Sequence, residues 1–464
     1  MESLDAASRD TWGSKLAFIL AAAGSAIGLG NIWAFPTNAA ANGGAAFLLI
    51  YLVCVVLIGA PVMLAEFTIG RRTQRNPVGA FSALAPGTKW KLLGGLGVVT
   101  GVIILSFYAV IAGWTVAYIV KCISGTFQPG VDTATIFAQM SGNPLSELGY
   151  LLFFMGLTVY VVVGGVRSGI ERWTKVLMPI LLILLVLLAV RAVTLSGAGA
   201  GLAFYFKPDF SQITGATVLA AAGQAFFSLS LGMGTMITYG SYIAKRDNLE
   251  SSALWVSSLD TGIAILAGLI IFPTLFHAGL GLQEGGPGMV FVVLTSLLGE
   301  IPPAPIGGII FGTGFFVLLG IAAITSSVSL LEVGTAYLVD EKKISRKKAC
   351  LVLGALSFVL GIPSALGNGA VSWLTDLPLF KIDFLSLLFE AFGQYSLAIG
   401  ALLISIFVGW KWGVDNAAAE VESEGTVFRM RKIWTFLIRY LCPITLILIL
   451  TNKIVELISG QGIL

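Results

Sequence analysis

The stretch Gly24-Ser25-Ala26-Ile27-Gly28-Leu29-Gly30-Asn31 lies inside an apolar run, Leu16 to Phe35, that is long enough to span a bilayer. Three glycines and an asparagine at that depth weaken a continuous helix. Backbone released from helix pairing inside a membrane is tolerated only where it is buried in protein or lines a cavity. A first helix broken near the midplane therefore predicts a binding site for ions and a small solute.

Composition supports the membrane setting. The chain is 57% hydrophobic and only 11% charged, with a mean hydropathy of +0.93. That balance excludes a water-soluble domain and predicts an all-α polytopic membrane protein. A net charge of +3 gives no reason to expect a nucleic-acid partner. Cys54, Cys122, Cys350 and Cys442 are scattered without metal-ligand spacing, so no structural disulfide is expected. Arg9 and Asp10 precede the first span and no cleavage site follows it, so that span reads as retained and not as a signal peptide.

Apolar spans fall near 14–38, 41–70, 91–124, 147–166, 171–195, 213–242, 249–278, 305–339, 347–366, 382–412 and 430–458, about eleven transmembrane helices. Basic residues cluster after the second span (Arg71, Arg72, Arg75, Lys89, Lys91), the fourth (Arg167, Arg172, Lys175), the sixth (Lys245, Arg246) and the eighth (Lys342 to Lys348), and before the last (Arg429, Arg431, Lys432). All these loops lie on the side of the N-terminus, which the positive-inside rule makes cytoplasmic. The opposite loops hold few basic residues, mainly Lys121, Arg191, Lys207 and Lys381. Segment 285–304 is too short and broken to span, and reads as a re-entrant outer loop able to cap the site.

The sixth span is also interrupted, at Ser228-Leu229-Ser230-Leu231-Gly232-Met233-Gly234-Thr235. Broken helices 1 and 6, at corresponding positions of two five-helix halves, predict a five-plus-five inverted repeat with the site at its interface. The expected organisation is a cytoplasmic N-terminus (1–13), a first repeat (14–195), a second inverted repeat (213–412), a polar cytoplasmic linker (413–429), and helix 11 with the C-terminus (430–464).

From Trp12 to Pro36 (WGSKLAFILAAAGSAIGLGNIWAFP) the chain closely resembles the neurotransmitter:sodium symporter family, in particular its prokaryotic amino-acid transporters of the leucine-transporter type. The resemblance continues through Asn42-Gly43-Gly44, through Gln224–Tyr242 and through Ala322–Ala349, and covers essentially the whole chain. It implies a transporter and no enzymatic activity. For one sodium ion it implies the carbonyl of Ala26 with Asn31, Ser228 and Asp260, completed by the substrate carboxylate. For a second it implies the carbonyls of Gly24, Ile27 and Ala322 with the hydroxyls of Thr325 and Ser326. Hard oxygens of this kind suit sodium. Small hydroxyl residues in membrane helices otherwise serve helix–helix hydrogen bonding.

The resemblance implies a substrate pocket of Ala26, Gly30, Ile104, Tyr108, Phe227, Ser230, Met233, Ser327 and Leu330. Relatives that carry amines lacking a carboxylate place an acid at the position of Gly28, so glycine there implies an amino-acid substrate. Met233 is long and deformable, which suits medium to large apolar side chains. Asp260 is an intramembrane carboxylate, which is costly and usually functional. Animal relatives use chloride near this place and some bacterial relatives a carboxylate; Ala264, one turn on, supplies neither. Chloride is therefore not expected to be required, and proton countertransport stays open.

The family pattern further implies an inner gate of Arg9 with Asp340, flanked by Trp12 and Tyr242. At the outer face Asp383 matches the gate acid, but its usual arginine partner is Ala34 here, leaving closure to Tyr108 and Phe227. Gly169 and Pro179 carry a Gly-x9-Pro spacing that could unwind the fifth span. Taken together the expectation is a sodium symporter, with two ions, importing a neutral hydrophobic or aromatic amino acid across a bacterial plasma (inner) membrane as a monomer or homodimer among membrane lipids. A carrier of a small or non-α amino acid such as glycine or taurine, which Ala34 keeps open, and a non-transporting amino-acid sensor are the alternatives. A channel would need a continuous polar path, whereas the polar residues here gather at one depth.

Overall fold

The structure, a computed structural model, describes residues 10–277 and 289–459; these are helical or in short connections, with no strand among them. Ser14 caps the first helix, its hydroxyl accepting from Ala17 N–H. That helix, α1 (Lys15–Ala26), stops where Ile27 turns to extended backbone. The chain restarts as α2 (Gly30–Ala41), bent 54° from α1. Next come α3 (Ala45–Thr73), α4 (Lys91–Ile123), α5 (Pro144–Val163) and α6 (Val166–Val193). The sixth span is two pieces, α7 (Gly215–Ser228) and α8 (Thr235–Gly240). Ser230, Gly232 and Gly234 between them take positive φ, which ends the helix. The chain continues with α9 (Leu249–His277), α10 (Ile306–Lys342), α11 (Arg346–Leu366), α12 (Phe384–Lys411) and α13 (Arg431–Val455).

Nine of these helices are individually long and apolar enough to cross a membrane, and α1 with α2 makes a tenth span. The pieces α7 and α8, of 14 and 6 residues, occupy the place of the broken sixth span of the sequence reading. At about 1.5 Å per residue the 33 residues of α4 and the 37 of α10 exceed a ~30 Å hydrocarbon core, so both must tilt. They pack along one another and form the wall against which both breaks rest.

Two regions differ from the sequence reading. The segment 413–429 is not simply a linker: Val414–Val421 is helical, with Ala417, Ala418, Glu420 and Val421 buried. Glu420 pairs with Arg71 at 3.0 Å and Lys245 at 2.9 Å, which draws this helix onto α3. Residues 285–288 lie outside the described residues. The described part of that expected cap, from Met289 to Glu300, folds into short turns. Its Phe291 packs on Trp114 and Tyr118 of α4, at centroid distances of 5.6 and 5.0 Å. No residue of 289–299 lines the central pocket, because the aromatic cluster holds this segment on the C-terminal half of α4.

Candidate functional site

Four side chains from four helices meet beside the first break. Asn31, Ser228, Asp260 and Tyr51 are all fully buried. The Asn31 amide donates to Asp260 Oδ1 at 2.8 Å, to the Asp260 carbonyl at 3.1 Å and to Ser228 Oγ at 2.9 Å. Ser228 in turn donates to Asp260 Oδ2 at 2.8 Å, and the Tyr51 hydroxyl approaches the same oxygen at 3.4 Å. Asn31 Oδ1 accepts from Gly28 N–H at 3.1 Å, so the amide is anchored to the break itself. Among the described residues no cation pairs with Asp260. A buried carboxylate without a partner cation is strongly disfavoured. This cluster is chemically suited to a small hard cation.

A second cluster joins α1 to α10. Ser326 Oγ lies 3.2 Å from the Ile27 carbonyl, 3.1 Å from that of Ser25 and 3.5 Å from that of Gly24. Thr325 Oγ1 lies 3.0 Å from the Ala322 carbonyl. Ile27 and Gly24 are at the unwound end of α1, where carbonyls lose their helical partners. A Cβ on Gly24 would lie 3.3 Å from Thr325 Cβ and 3.1 Å from Met178 Sδ, so α6 closes the third side. The structure thus brings together all five residues expected for the second ion. Pro179 follows Met178 directly, and Gly169 lets the start of α6 approach α5: a Cβ there would collide with the Val161 carbonyl.

Between the clusters lies a cavity of about 40 Å³. Its walls include Ala26, Gly30, Ile104, Tyr108, Phe227, Ser230, Met233 and Leu330, all expected from the sequence. Ser327 is a correction. Its hydroxyl turns away, to the Ile324 carbonyl at 3.0 Å and Thr158 Oγ1 at 2.9 Å. Ser326 and Ser329 line the cavity instead, since successive helical residues point about 100° apart. Sequence reasoning also missed Ser25, Leu397 and Tyr51. It missed Glu66, which accepts from Gly232 N–H at 2.8 Å and holds the sixth-span break. An intramembrane carboxylate is a signal in itself. The argument that singled out Asp260 applied equally to Glu66 and to Glu332.

Closure differs on the two sides. On the N-terminal side the Trp12 indole donates to the Tyr239 carbonyl and its backbone N–H to the Tyr242 carbonyl, each at 3.1 Å. Tyr242 donates to Glu332 at 2.7 Å, and Glu332 pairs with Arg346 at 2.5 Å. Asp340 accepts from Asn76 N–H at 3.1 Å. Arg9, its expected partner, lies outside the described residues. On the opposite side Phe227 meets Phe389 edge-on at 5.5 Å, between the cavity and a second, wider cavity of about 430 Å³. Tyr108 is held inside by Leu29 N–H at 3.3 Å, so Phe389, not Tyr108, partners Phe227 in this lid. Asp383 is likewise corrected. It caps the start of α12, accepting from Ser386 N–H at 2.9 Å and Ser386 Oγ at 2.6 Å. With alanine at 34 no guanidinium draws it inward. An amide bridge runs there instead: Asn38 donates to Gln224 at 2.8 Å, and Gln224 donates to the Gly30 carbonyl at 3.1 Å.

The profile of the sodium:neurotransmitter symporter family matches residues 9–131 and 136–461. The chain belongs to this family. The sodium-dependent transporter YhdH of Bacillus subtilis is 40% identical over 449 residues, covering 96% of this chain and 97% of that protein. A sodium-dependent transporter of Haemophilus influenzae is 35% identical, covering 96% and 98%. The crystal structure of MhsT in complex with L-phenylalanine superposes with a TM-score of 0.86 at 46% identity, covering 95% of this chain and 99% of that one. The protein is therefore a multi-pass, sodium-dependent membrane transporter of this family and not an enzyme.

Proposed function

We propose that this symporter imports a neutral hydrophobic or aromatic amino acid by alternating access, with two sodium ions and without chloride. Gly28 carries the reading. A Cβ there would lie 2.6 Å from Ser326 Oγ and 2.9 Å from the Tyr108 hydroxyl, so a protein carboxylate has no room. The substrate must then bring its own, next to the start of α2, where the helix dipole favours an anion. The walls beyond, with Ile104, Met233 and Leu330, suit an apolar side chain. The likeness to MhsT with L-phenylalanine supports the same substrate class.

The cluster at Asn31, Ser228 and Asp260, with the Ala26 carbonyl, is the proposed first sodium site. The cluster at Gly24, Ile27, Ala322, Thr325 and Ser326 is the second. Two sodium ions and a zwitterion carry about +2, which an ionised Asp260 lowers to about +1 without chloride. The halves 14–195 and 213–412 are read as the two repeats around these sites. The basic loops support a cytoplasmic N-terminus in a bacterial inner membrane. Lipid surrounds a monomer or homodimer in this reading.

Sodium-gradient-driven uptake into proteoliposomes, with a panel of labelled amino acids, tests the proposal. Leucine, isoleucine, methionine, phenylalanine, tyrosine and tryptophan should compete. Charged amino acids should compete weakly, because their side chains lose hydration without a partner. Met233→Phe should penalise aromatic substrates relative to valine or alanine by about 1–3 kcal/mol, as overpacking a formed cavity does. Glycine or taurine outcompeting every larger amino acid would overturn the substrate class.

A further inference from the structure

Six of the residues that line the cavity are Ser25, Ile104, Ser230, Met233, Ser329 and Leu330. Three of these are serines, and each hydroxyl has one proton to donate. Ser329 spends its proton on the Ser326 carbonyl, 2.8 Å away. Ser25 spends its proton on Ser329 Oγ, at 2.7 Å. Ser230 spends its proton on the Ser25 carbonyl, at 3.0 Å. The Ser326 hydroxyl lies within 3.5 Å of the same Ser25 carbonyl and of those of Gly24 and Ile27. Each of these serine hydroxyl protons is thus directed at a protein acceptor. What the serines retain is lone pairs. The remaining walls are aliphatic, apart from the Met233 thioether, itself only a weak acceptor.

The bland account is that such hydroxyls satisfy their own helix or glue helices together. It fits Ser329, which bonds within its own helix. It does not cover the pair of contacts that converge on Ser25, one from α10 and one from the positive-φ Ser230 between α7 and α8. Both close against the same cavity wall. A subsite that offers acceptors and no donors distinguishes ligands by the sign of their polar tip. A neutral donor at the end of a flat side chain is matched, a purely apolar tip leaves the acceptors unmatched, and an acceptor-only tip is opposed.

We infer that this subsite selects side chains ending in a hydrogen-bond donor, so that tyrosine and tryptophan are preferred to phenylalanine. The inference rests on the amino-acid reading of the site and sharpens it. One neutral hydrogen bond predicts a preference of about three- to tenfold for tyrosine over phenylalanine.

The test is competition against sodium-driven uptake of labelled leucine by the full chain in proteoliposomes. Competitors are phenylalanine, tyrosine, para-methylphenylalanine, which has the shape of tyrosine without its hydroxyl, and para-methoxyphenylalanine. Tyrosine should lead phenylalanine and the para-methyl analogue by that factor, and the methoxy analogue should trail. Ser25→Ala removes one of the three acceptors and should lower the tyrosine-to-phenylalanine ratio. Ser329→Ala frees the Ser25 proton and should improve the methoxy analogue relative to the para-methyl one. Ratios within one variant are insensitive to general damage, and the parent comparison needs no variant at all. Phenylalanine or the para-methyl analogue matching tyrosine in the parent would overturn the inference alone. Failure of every amino acid to compete would overturn the amino-acid reading and the inference with it.

Discussion

Around Asn31 the oxygens belong mainly to side chains that bond to one another; around Ser326 several belong to the backbone of a broken helix. The first cluster draws on α2, α3, α7 and α9 and contains a carboxylate. The second is neutral and exists only while the end of α1 lies against α10. Rocking α1 away from α10 would dismantle the second cluster but keep the Asn31–Ser228–Asp260 hydrogen bonds, which join α2, α7 and α9, so that the proposed first site loses only the Ala26 carbonyl. On the proposed reading, the first ion is held by charge and the second by conformation. The second is the one whose release belongs with inward opening.

The largest effect expected from this contrast is at Asp260. Asp260→Asn keeps the shape and removes the charge. A hydrogen-bonded charged group contributes about 1.5–3 kcal/mol, so the sodium concentration for half-maximal substrate binding should rise about ten- to hundredfold. Uptake by the variant should respond less to an opposing pH gradient than uptake by the parent, since the titratable group of the proposed first site is gone. Uptake by the parent should proceed in chloride-free buffer. A strict chloride requirement with Asp260 present would break the contrast, because the first site would then not carry its own charge.

Much of this contrast was legible in the sequence, for identifiable reasons. Glycines at membrane depth mark both breaks, since unpaired backbone in a bilayer has few explanations. Asp260 stood out because an intramembrane acid demands one. What the sequence did not disclose is side-chain direction. Ser326 and Ser327 are neighbours of the same type, and only the helix rotation turns one to the cavity and the other to Thr158. Asp383 matched a gate acid by position, yet with alanine in place of the arginine at 34 its carboxylate caps a local helix start. The lid residue Phe389 sits in a wide helical turn over Phe389–Ser396 that no residue pattern announces. The amide bridge through Asn38 and Gln224 depends on what Ala34 leaves out, and an absence carries little pattern.

A smaller effect is expected at the second cluster. Thr325→Ala removes one neutral oxygen among several, so the loss should be about 1 kcal/mol, near fivefold in sodium dependence. The sharper signature is conformational. Cysteine labelling on the N-terminal side should rise in this variant, because the proposed second ion, which would link the end of α1 to α10, is held less tightly. Asp260→Asn should not produce that rise once sodium is raised to compensate. Equal labelling in both variants would mean that the two clusters report on the same motion, and the division of roles would fail.

The smallest expected effect lies where the first cluster meets the outer side. Gln224 reaches both Asn38 and the Gly30 carbonyl, one residue before Asn31. It ties α7 to α2 at the edge of the proposed first site and makes no contact with Ser326 or Thr325. Gln224→Ala leaves the Asn31 network itself untouched but frees the backbone that presents it. One or two neutral hydrogen bonds predict a loss of about 0.5–1.5 kcal/mol, two- to tenfold in the sodium needed for substrate binding. Because the bridge is uncharged, ionic strength at fixed sodium should leave this difference unchanged, whereas an exposed ion pair would weaken as salt screens it. Labelling on the N-terminal side should stay at the parent level. If Gln224→Ala instead opens that side as Thr325→Ala is expected to, the outer edge of α2 is coupled to α1 across the break. The half-helices would then move as one body, not two.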